Sequence, residues 1–300
     1  VLNRMQDKVS LEAPAKINLY LEVGPLRPDG YHAVRTVMQT VELCDVVEVG
    51  LAGKGKGMDL EVEGDAPTGE DNLCLRAAAA YAEAVSKPLS LRIKLSKRIP
   101  SSAGLGGGSS DAAAVLRALD FLLGEALGGK ELMRLAASIG SDVPFFLVGG
   151  TALAEGRGER ITPLAQAPPL PVILANPGKE LSTAEVYRRF DLAARENPPP
   201  GGLQALTESL PTGDIGRIAA LLFNSLQGAA MDMEPGIASL LDRGRRAGAK
   251  GALVSGSGPT VFLLASDDGG AAELEASLKN AAPLVVRTRF RSSGVSLRQA

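Results

Sequence analysis

The stretch Pro100-Ser-Ser-Ala-Gly-Leu-Gly-Gly-Gly-Ser-Ser-Asp111, followed by Ala-Ala-Ala-Val-Leu116, reads as a glycine-rich loop that turns into a helix. Gly104, Gly106, Gly107 and Gly108 remove side chains where a bulky ligand would approach the backbone. Ser109, Ser110 and Asp111 are good capping residues, and helix formers take over from Ala112. A helix N-terminus preceded by bare backbone N–H groups binds anions, and the expected anion is a phosphate.

Two familiar phosphate loops do not fit. A Walker loop needs a lysine after its last glycine, and none lies here. A dinucleotide fingerprint needs a third glycine where Ser109 stands. A plain flexible turn is the bland alternative. Three consecutive glycines running into Ser-Ser-Asp and a helix favour phosphate.

Outward from the loop, Leu89–Leu95 alternates as a strand and feeds it, and the helix behind it runs to about Leu123. Lys16–Val23 also alternates, with Ile17, Leu19, Leu21 and Val23 on one face and Lys16, Asn18, Tyr20 and Glu22 on the other. Val9–Ala13, Thr36–Val41, Asp45–Val49 and Met58–Val62 read as further strands, the last two joined by a hairpin loop at Gly53–Gly57. Helices are expected at Asp71–Val85 and Lys130–Ile139, and extended segments at Asp142–Val148 and Thr151–Glu155. A Pro/Ala-rich stretch at Pro163–Pro171 places a domain boundary near residue 165. Beyond it come a strand at Val172–Ala175, a helix from Ser182, helices over Asp214–Met231 and Glu234–Ala247, and strands at Gly251–Ser255 and Thr260–Leu264. A last helix at Ala271–Lys279 and a strand at Leu284–Phe290 complete the reading. Strands and helices do not alternate regularly, so two α+β domains, 1–165 and 166–300, fit better than a doubly wound sheet.

Composition narrows the class. The chain has 300 residues, 45% hydrophobic and 22% charged, as in a globular enzyme. A net charge of −2 argues against a nucleic-acid partner. Cys44 and Cys74 are the only cysteines and His32 the only histidine, so a zinc site is disfavoured and reduced thiols are expected. No run is long enough to span a membrane, and the polar start at Val1–Ser10 lacks a signal-peptide core. The expected location is the cytoplasm.

The loop resembles the phosphate motif of the GHMP small-molecule kinases. A second loop, Val254-Ser-Gly-Ser-Gly-Pro-Thr260, is similar to that superfamily's third motif. Three further segments narrow the resemblance: Ala13-Pro-Ala-Lys-Ile-Asn-Leu19 with Arg27-Pro-Asp-Gly-Tyr-His32, Gly140-Ser-Asp-Val-Pro-Phe-Phe146, and Pro177-Gly178 through Ser182-Thr183. They look like the 4-diphosphocytidyl-2-C-methyl-D-erythritol kinase family, from about residue 10 to 265. The resemblance implies a two-domain α+β GHMP-kinase fold, with mixed or antiparallel sheets packed with helices and the active site in the cleft between domains. It implies transfer of the γ-phosphoryl of ATP, with Mg²⁺, to the tertiary 2-hydroxyl of a cytidine-diphosphate-linked methylerythritol. That step lies on the non-mevalonate route to isoprenoid precursors.

The same resemblance assigns roles. Lys16 and Asp142 are the expected catalytic pair, although lysine on a strand is by default a solvated residue and an Asp just after a helix is by default a turn or cap residue. A carboxylate near an alcohol accepts its proton, and a neighbouring ammonium steadies the charge that develops. Pro100, Ser101, Ser102, Ala103, Gly104, Leu105, Gly106, Gly107, Gly108, Ser109 and Ser110 are expected to wrap the ATP phosphates. The Ser109 and Ser110 hydroxyls are open to phosphate, metal or capping roles, and the protein ligands of Mg²⁺ stay unassigned. Asn18, Tyr31, His32, Thr183 and Tyr187 are expected around the acceptor, with Tyr31 and Tyr187 stacking on cytosine and His32 hydrogen-bonding it. Arg157 and Arg160 are read as surface residues. Other GHMP acceptors (homoserine, mevalonate), a related decarboxylase and a non-catalytic nucleotide-binding relative are the alternatives; the Tyr31-His32 pair argues against the first two. The quaternary expectation is a monomer or homodimer.

Overall fold

The structure, a computed structural model, describes residues 7–53, 55–193 and 197–298. The first six positions of the polar start lie outside it. The chain opens with two long strands, β1 (Lys8–Leu26) and β2 (His32–Leu51), then β3 (Met58–Glu63), α1 (Leu73–Ala84) and β4 (Leu91–Ser96). The glycine loop leads from β4 into α2 (Gly107–Leu122), followed by α3 (Gly128–Ile139), α4 (Val143–Val148), β5 (Thr151–Gly156) and β6 (Arg160–Pro163). Next come β7 (Pro171–Asn176), α5 (Thr183–Leu192), α6 (Gly202–Ser209), α7 (Ile215–Ala220), β8 (Phe223–Asn224), α8 (Gln227–Met233) and α9 (Pro235–Arg246). The chain finishes with β9 (Gly251–Val254), β10 (Val261–Leu264), α10 (Asp268–Leu278), β11 (Leu284–Arg289) and β12 (Ser296–Leu297).

Two sheets organise these elements. The larger runs β12-β1-β2-β4-β3, with β5 also on β2, β6 on β5 and β8 on β1. The smaller runs β11-β7-β10-β9. Ile17 and Leu19 of β1 share one buried apolar cluster with Leu105 of the glycine loop and Leu174 and Phe262 of the smaller sheet. The core is therefore continuous from one sheet to the other, and the strand that bears Lys16, part of the larger sheet, contributes to it.

Several sequence expectations need correction. Val9–Ala13 and Lys16–Val23 are one strand, and Thr36–Val41 and Asp45–Val49 are another. Register shifts at Pro14/Ala15 and Asn18/Tyr20 absorb the irregularity without ending the ladder. The polar face of β1 is not solvated: Lys16, Asn18 and Tyr20 are buried. Met58–Glu63 does not form a hairpin with β2, because β4 lies between them and pairs with β3 in parallel. Parallel neighbours need a crossover, and α1 supplies it. Asp142–Val148 is helical rather than extended, with Pro144 in its first turn, where a missing N–H costs nothing. The expected helix over Asp214–Met231 breaks into α7 and α8, because Phe223 and Asn224 leave it to pair with Tyr20 and Leu21 of β1.

Cys44 and Cys74 are free and buried. Burial, against the pull of Arg291, pushes the Cys44 thiol up to about 11, and burial holds Cys74 well above the usual thiol range. The thiolate is the reactive form. Ellman's reagent at pH 8 is therefore expected to leave the native protein nearly untouched and to titrate both thiols after denaturation. Rapid reaction of either thiol in the folded protein would contradict this packing.

Candidate active site

The glycine loop is held from beneath. Leu105 is fully buried, which contributes about 1.5–3 kcal/mol of anchoring, and its carbonyl accepts from the Lys16 N–H at 2.9 Å. The Gly104 carbonyl accepts from Ser255 Oγ at 2.9 Å, and the Ala103 carbonyl from the Thr260 N–H. Three successive carbonyls are thus turned into the protein. The helix behind starts earlier than the capping residues suggest. Gly106 is the N-cap, in the left-handed region at φ 71°, and no side chain caps it. Ser109, Ser110 and Asp111 are already helical. The first N–H groups of a helix have no intrahelical partner, so those of α2 face the loop mouth uncapped.

Lys16 stands beside this loop. Its Nζ donates to Asn18 Oδ1 at 2.7 Å, Asn18 Nδ2 donates to Thr36 Oγ1 at 2.8 Å, and Thr36 donates to the Tyr20 carbonyl. This chain fixes the ammonium from behind. Asp142 Oδ2 lies 3.8 Å from Lys16 Nζ. That separation gives charge attraction but exceeds a hydrogen bond, so both groups keep bonding capacity for a third partner. Asp142 sits at the N-cap position of α4 yet makes no capping hydrogen bond. Its side chain is 35% exposed, against 5% for Lys16, so the carboxylate opens to solvent and the amine does not. Burial lowers the Lys16 pKa, and Asp142 offsets part of that.

The second glycine loop closes the other side. A Cβ built on Gly256 would stand 3.2 Å from Lys16 Nζ and 3.3 Å from Asn18 Oδ1, so only a glycine lets this loop come so close. Ser257 Oγ is 2.9 Å from Thr183 Oγ1, which ties the first turn of α5 to the same loop.

The turn between β5 and β6 links Asp142 to the expected base-binding residues. A Cβ on Gly158 would fall 3.8 Å from Asp142 Oδ1, and the Arg157 guanidinium lies 4.9 Å above the Tyr31 ring. Tyr31 is 54% exposed, with Arg157 over its ring. Tyr187 packs on His32 with ring centroids 5.3 Å apart. Burial, with the Asp142 charge added, pushes its hydroxyl up to about 12. His32 is buried, with Nδ1 2.9 Å from the Gly24 carbonyl and Nε2 3.2 Å from Asp191 Oδ2. Both ring nitrogens already face acceptors within the protein.

Comparison with known proteins fits this arrangement. The GHMP kinases N terminal domain matches residues 72–150, and GHMP kinases C terminal matches residues 205–284. A protein of Pelotomaculum thermopropionicum named 4-diphosphocytidyl-2-C-methyl-D-erythritol kinase is 45% identical, covering 92% of this chain and 96% of its own. One of the same name from Leifsonia xyli is 40% identical, covering 94% and 95%. The chain belongs to the 4-diphosphocytidyl-2-C-methyl-D-erythritol kinase family. A crystal structure of a 4-(cytidine 5'-diphospho)-2C-methyl-D-erythritol kinase superposes with a TM-score of 0.78 at 38% identity, over 94% of this chain and 98% of that one. A homoserine kinase of Cytophaga hutchinsonii reaches a TM-score of 0.80 at only 20% identity, over 99% of each chain. That likeness shows the shared GHMP fold alone.

Within this family member, sequence reasoning passed over several residues. Thr36 and Asp191 gave no local signal, because each acts on a partner far along the chain. Arg157 was visible in Gly156-Arg157-Gly158-Glu159 but read as surface. It is indeed exposed, and it lies over Tyr31. Among the described residues, no helix is long and apolar enough to cross a membrane.

Proposed function

We propose that this chain transfers the γ-phosphoryl group of ATP to the 2-hydroxyl of 4-diphosphocytidyl-2-C-methyl-D-erythritol. The observation that carries the mechanism is the unbonded Lys16–Asp142 pair beside the uncapped start of α2. ATP phosphates bind at the loop and first turn of α2, where backbone N–H groups and the helix dipole favour them. The acceptor hydroxyl enters between Lys16 and Asp142. Asp142 takes its proton as the oxygen attacks the γ-phosphorus. The bond from that phosphorus to the β,γ-bridging oxygen breaks, ADP leaves, and Lys16 steadies negative charge on the oxygens involved. Lys16 has three donors and spends one on Asn18, so two remain for these oxygens.

Among the described residues, no three metal-ligating side chains gather. Mg²⁺ on ATP takes most of its ligands from phosphate oxygens and water, with few from protein. The Ser109 and Ser110 hydroxyls are hard oxygens of the right kind, and Ser110 Oγ is buried without a hydrogen-bond partner. They would hold the ion, which would neutralise β- and γ-phosphate charge. The first test is ADP release with this acceptor, run beside homoserine, mevalonate and galactose. Turnover of a control but not of the cytidine compound would overturn the substrate assignment.

Tyr31 and Tyr187 form the base end of the site. Stacking on one aromatic ring is worth about 1–3 kcal/mol per base. Tyr187→Ala is therefore expected to raise KM for the acceptor about 10-fold while leaving KM for ATP within about twofold. Equal rises in both constants would place Tyr187 in the fold instead of at the base.

A further inference from the structure

Beneath the glycine loop lies a buried charge cluster that the mechanism does not use. Lys97, just after β4, donates from Nζ to Asp45 Oδ2 at 2.5 Å and to Asp111 Oδ2 at 2.9 Å. All three side chains are at most 5% exposed. Asp45 Oδ1 accepts from the backbone N–H groups of Arg98 and Ile99, the two residues that enter the loop. Asp111 sits in the opening turns of α2, where the chain leaves the loop. Asp45 on β2 thus holds the entrance, Asp111 belongs to the exit, and Lys97 joins them.

We propose that Asp45, Lys97 and Asp111 are positioning residues for ATP: a clasp that sets the spacing between the two ends of the glycine loop without touching the nucleotide. The fit around Lys97 is close. A Cβ on Gly107, the first residue of α2, would lie 3.0 Å from Lys97 Nζ and 3.0 Å from Ile99 Cγ2. The ammonium therefore sits directly under the turn whose N–H groups face the loop mouth.

The cluster is also not the cheapest way to hold the fold. One cation faces two carboxyls, and Asp111 Oδ1 is buried with no hydrogen-bond partner. Burial, with Asp45 adding to it and Lys97 opposing, pushes the Asp111 carboxyl up to about 8. Lys97 and Asp45 form a charge-balanced pair on their own. A group whose burial is unfavourable, and whose removal leaves a balanced pair, is poorly explained by stability alone.

This inference rests on the reading of the loop as the ATP site, so ATP binding to the wild-type enzyme is measured first by calorimetry; its absence would refute that reading and not the clasp. Asp111→Ala keeps the Lys97–Asp45 pair and cuts only the tie to α2. The expected result is a melting temperature at or above wild type, ATP affinity weakened about 10-fold, and acceptor KM within about twofold. Asp111→Asn, whose amide oxygen still accepts from Lys97, should stay within about threefold of wild type for ATP. Wild-type ATP affinity in Asp111→Ala would overturn the proposal. So would equal losses for ATP and acceptor, or an Asp111→Asn as weak as the alanine variant. If Asp111→Ala does not fold, Lys97→Arg decides: its charge is kept, but its larger fork has no room beside Gly107. Weakened ATP binding is then expected, and wild-type ATP affinity would overturn the clasp.

Discussion

Asp142→Asn is expected to lower kcat on the order of 10³-fold while the melting temperature stays within about 2 °C of wild type. The amide fills the same space and cannot accept the proton. Little stability is at stake, because the Asp142 side chain is partly exposed, makes no capping bond and holds Lys16 only across 3.8 Å. KM for ATP should move little, since the loop that holds the phosphates does not depend on this carboxylate. Lys16→Met should lose activity to a similar degree for a different reason: the charge facing the reacting oxygens is gone. Its stability should move the other way. Burial lowers the Lys16 pKa from its ordinary 10.5, so the folded state holds that proton less well than the unfolded chain does. The resulting cost is largest at low pH and fades as pH rises toward 10.5. Lys16→Met should therefore melt at or above the wild-type temperature near pH 7, with the gap closing in alkali. Stopped turnover in a protein that melts normally is the signature of a catalytic pair. Near-normal kcat in either purified variant would remove that residue from the chemistry.

The site was legible in the sequence to different depths. Lys16 and Asp142 stood out only through the family pattern. Alternation alone put Lys16 on a solvated face, and it is buried because the loop around Gly256 packs over that face. Asp142 alone read as a cap, and it does occupy a cap position, with its side chain turned to other work. Ser109 and Ser110 read as caps, yet Gly106 took that place by entering the left-handed region open to glycine. The misread elements share one cause. The Asp214–Met231 stretch reads as one helix from its Ala and Leu content, but Phe223 and Asn224 find partners on β1, about 200 residues away. Local pattern cannot report a pairing at that distance. Asp191 pairs with His32 across 159 residues, and even Thr36 behind Asn18 is 18 residues away on a neighbouring strand, beyond what local pattern reports.

The glycines of the loop show the limit most clearly, and they give the second large prediction. In the sequence all four looked like room for a ligand. In the structure three of them make room for the protein. Gly104 lies at φ +74°, and a Cβ there would stand 2.3 Å from the Ser255 carbonyl oxygen, 2.9 Å from that of Gly258 and 3.2 Å from its nitrogen. All three are backbone atoms, so no rotamer change relieves the contact. Gly106 would strike the Phe146 ring at 2.7 Å, and Gly107 meets Ile99 and Lys97. Gly104→Ala adds about 1–2 kcal/mol of left-handed strain to that clash. The glycine loop and the loop at Ser255–Gly258 must then move apart, which draws Gly256 away from Lys16. The expected result is a melting temperature lower by about 5 °C or more and kcat/KM for ATP reduced on the order of 10²-fold. Gly108→Ala is the contrasting variant. Gly108 is exposed, has ordinary helical backbone, and meets nothing nearer than Leu73 Cδ1 at 3.5 Å. Alanine there should hold or raise the melting temperature, since it favours helix by up to about 1 kcal/mol. If phosphates approach α2 over this residue, it should still weaken ATP binding several-fold. A Gly104→Ala enzyme with wild-type stability and turnover would contradict the contact between the loops. A Gly108→Ala enzyme with wild-type ATP affinity would move the phosphates elsewhere on the turn.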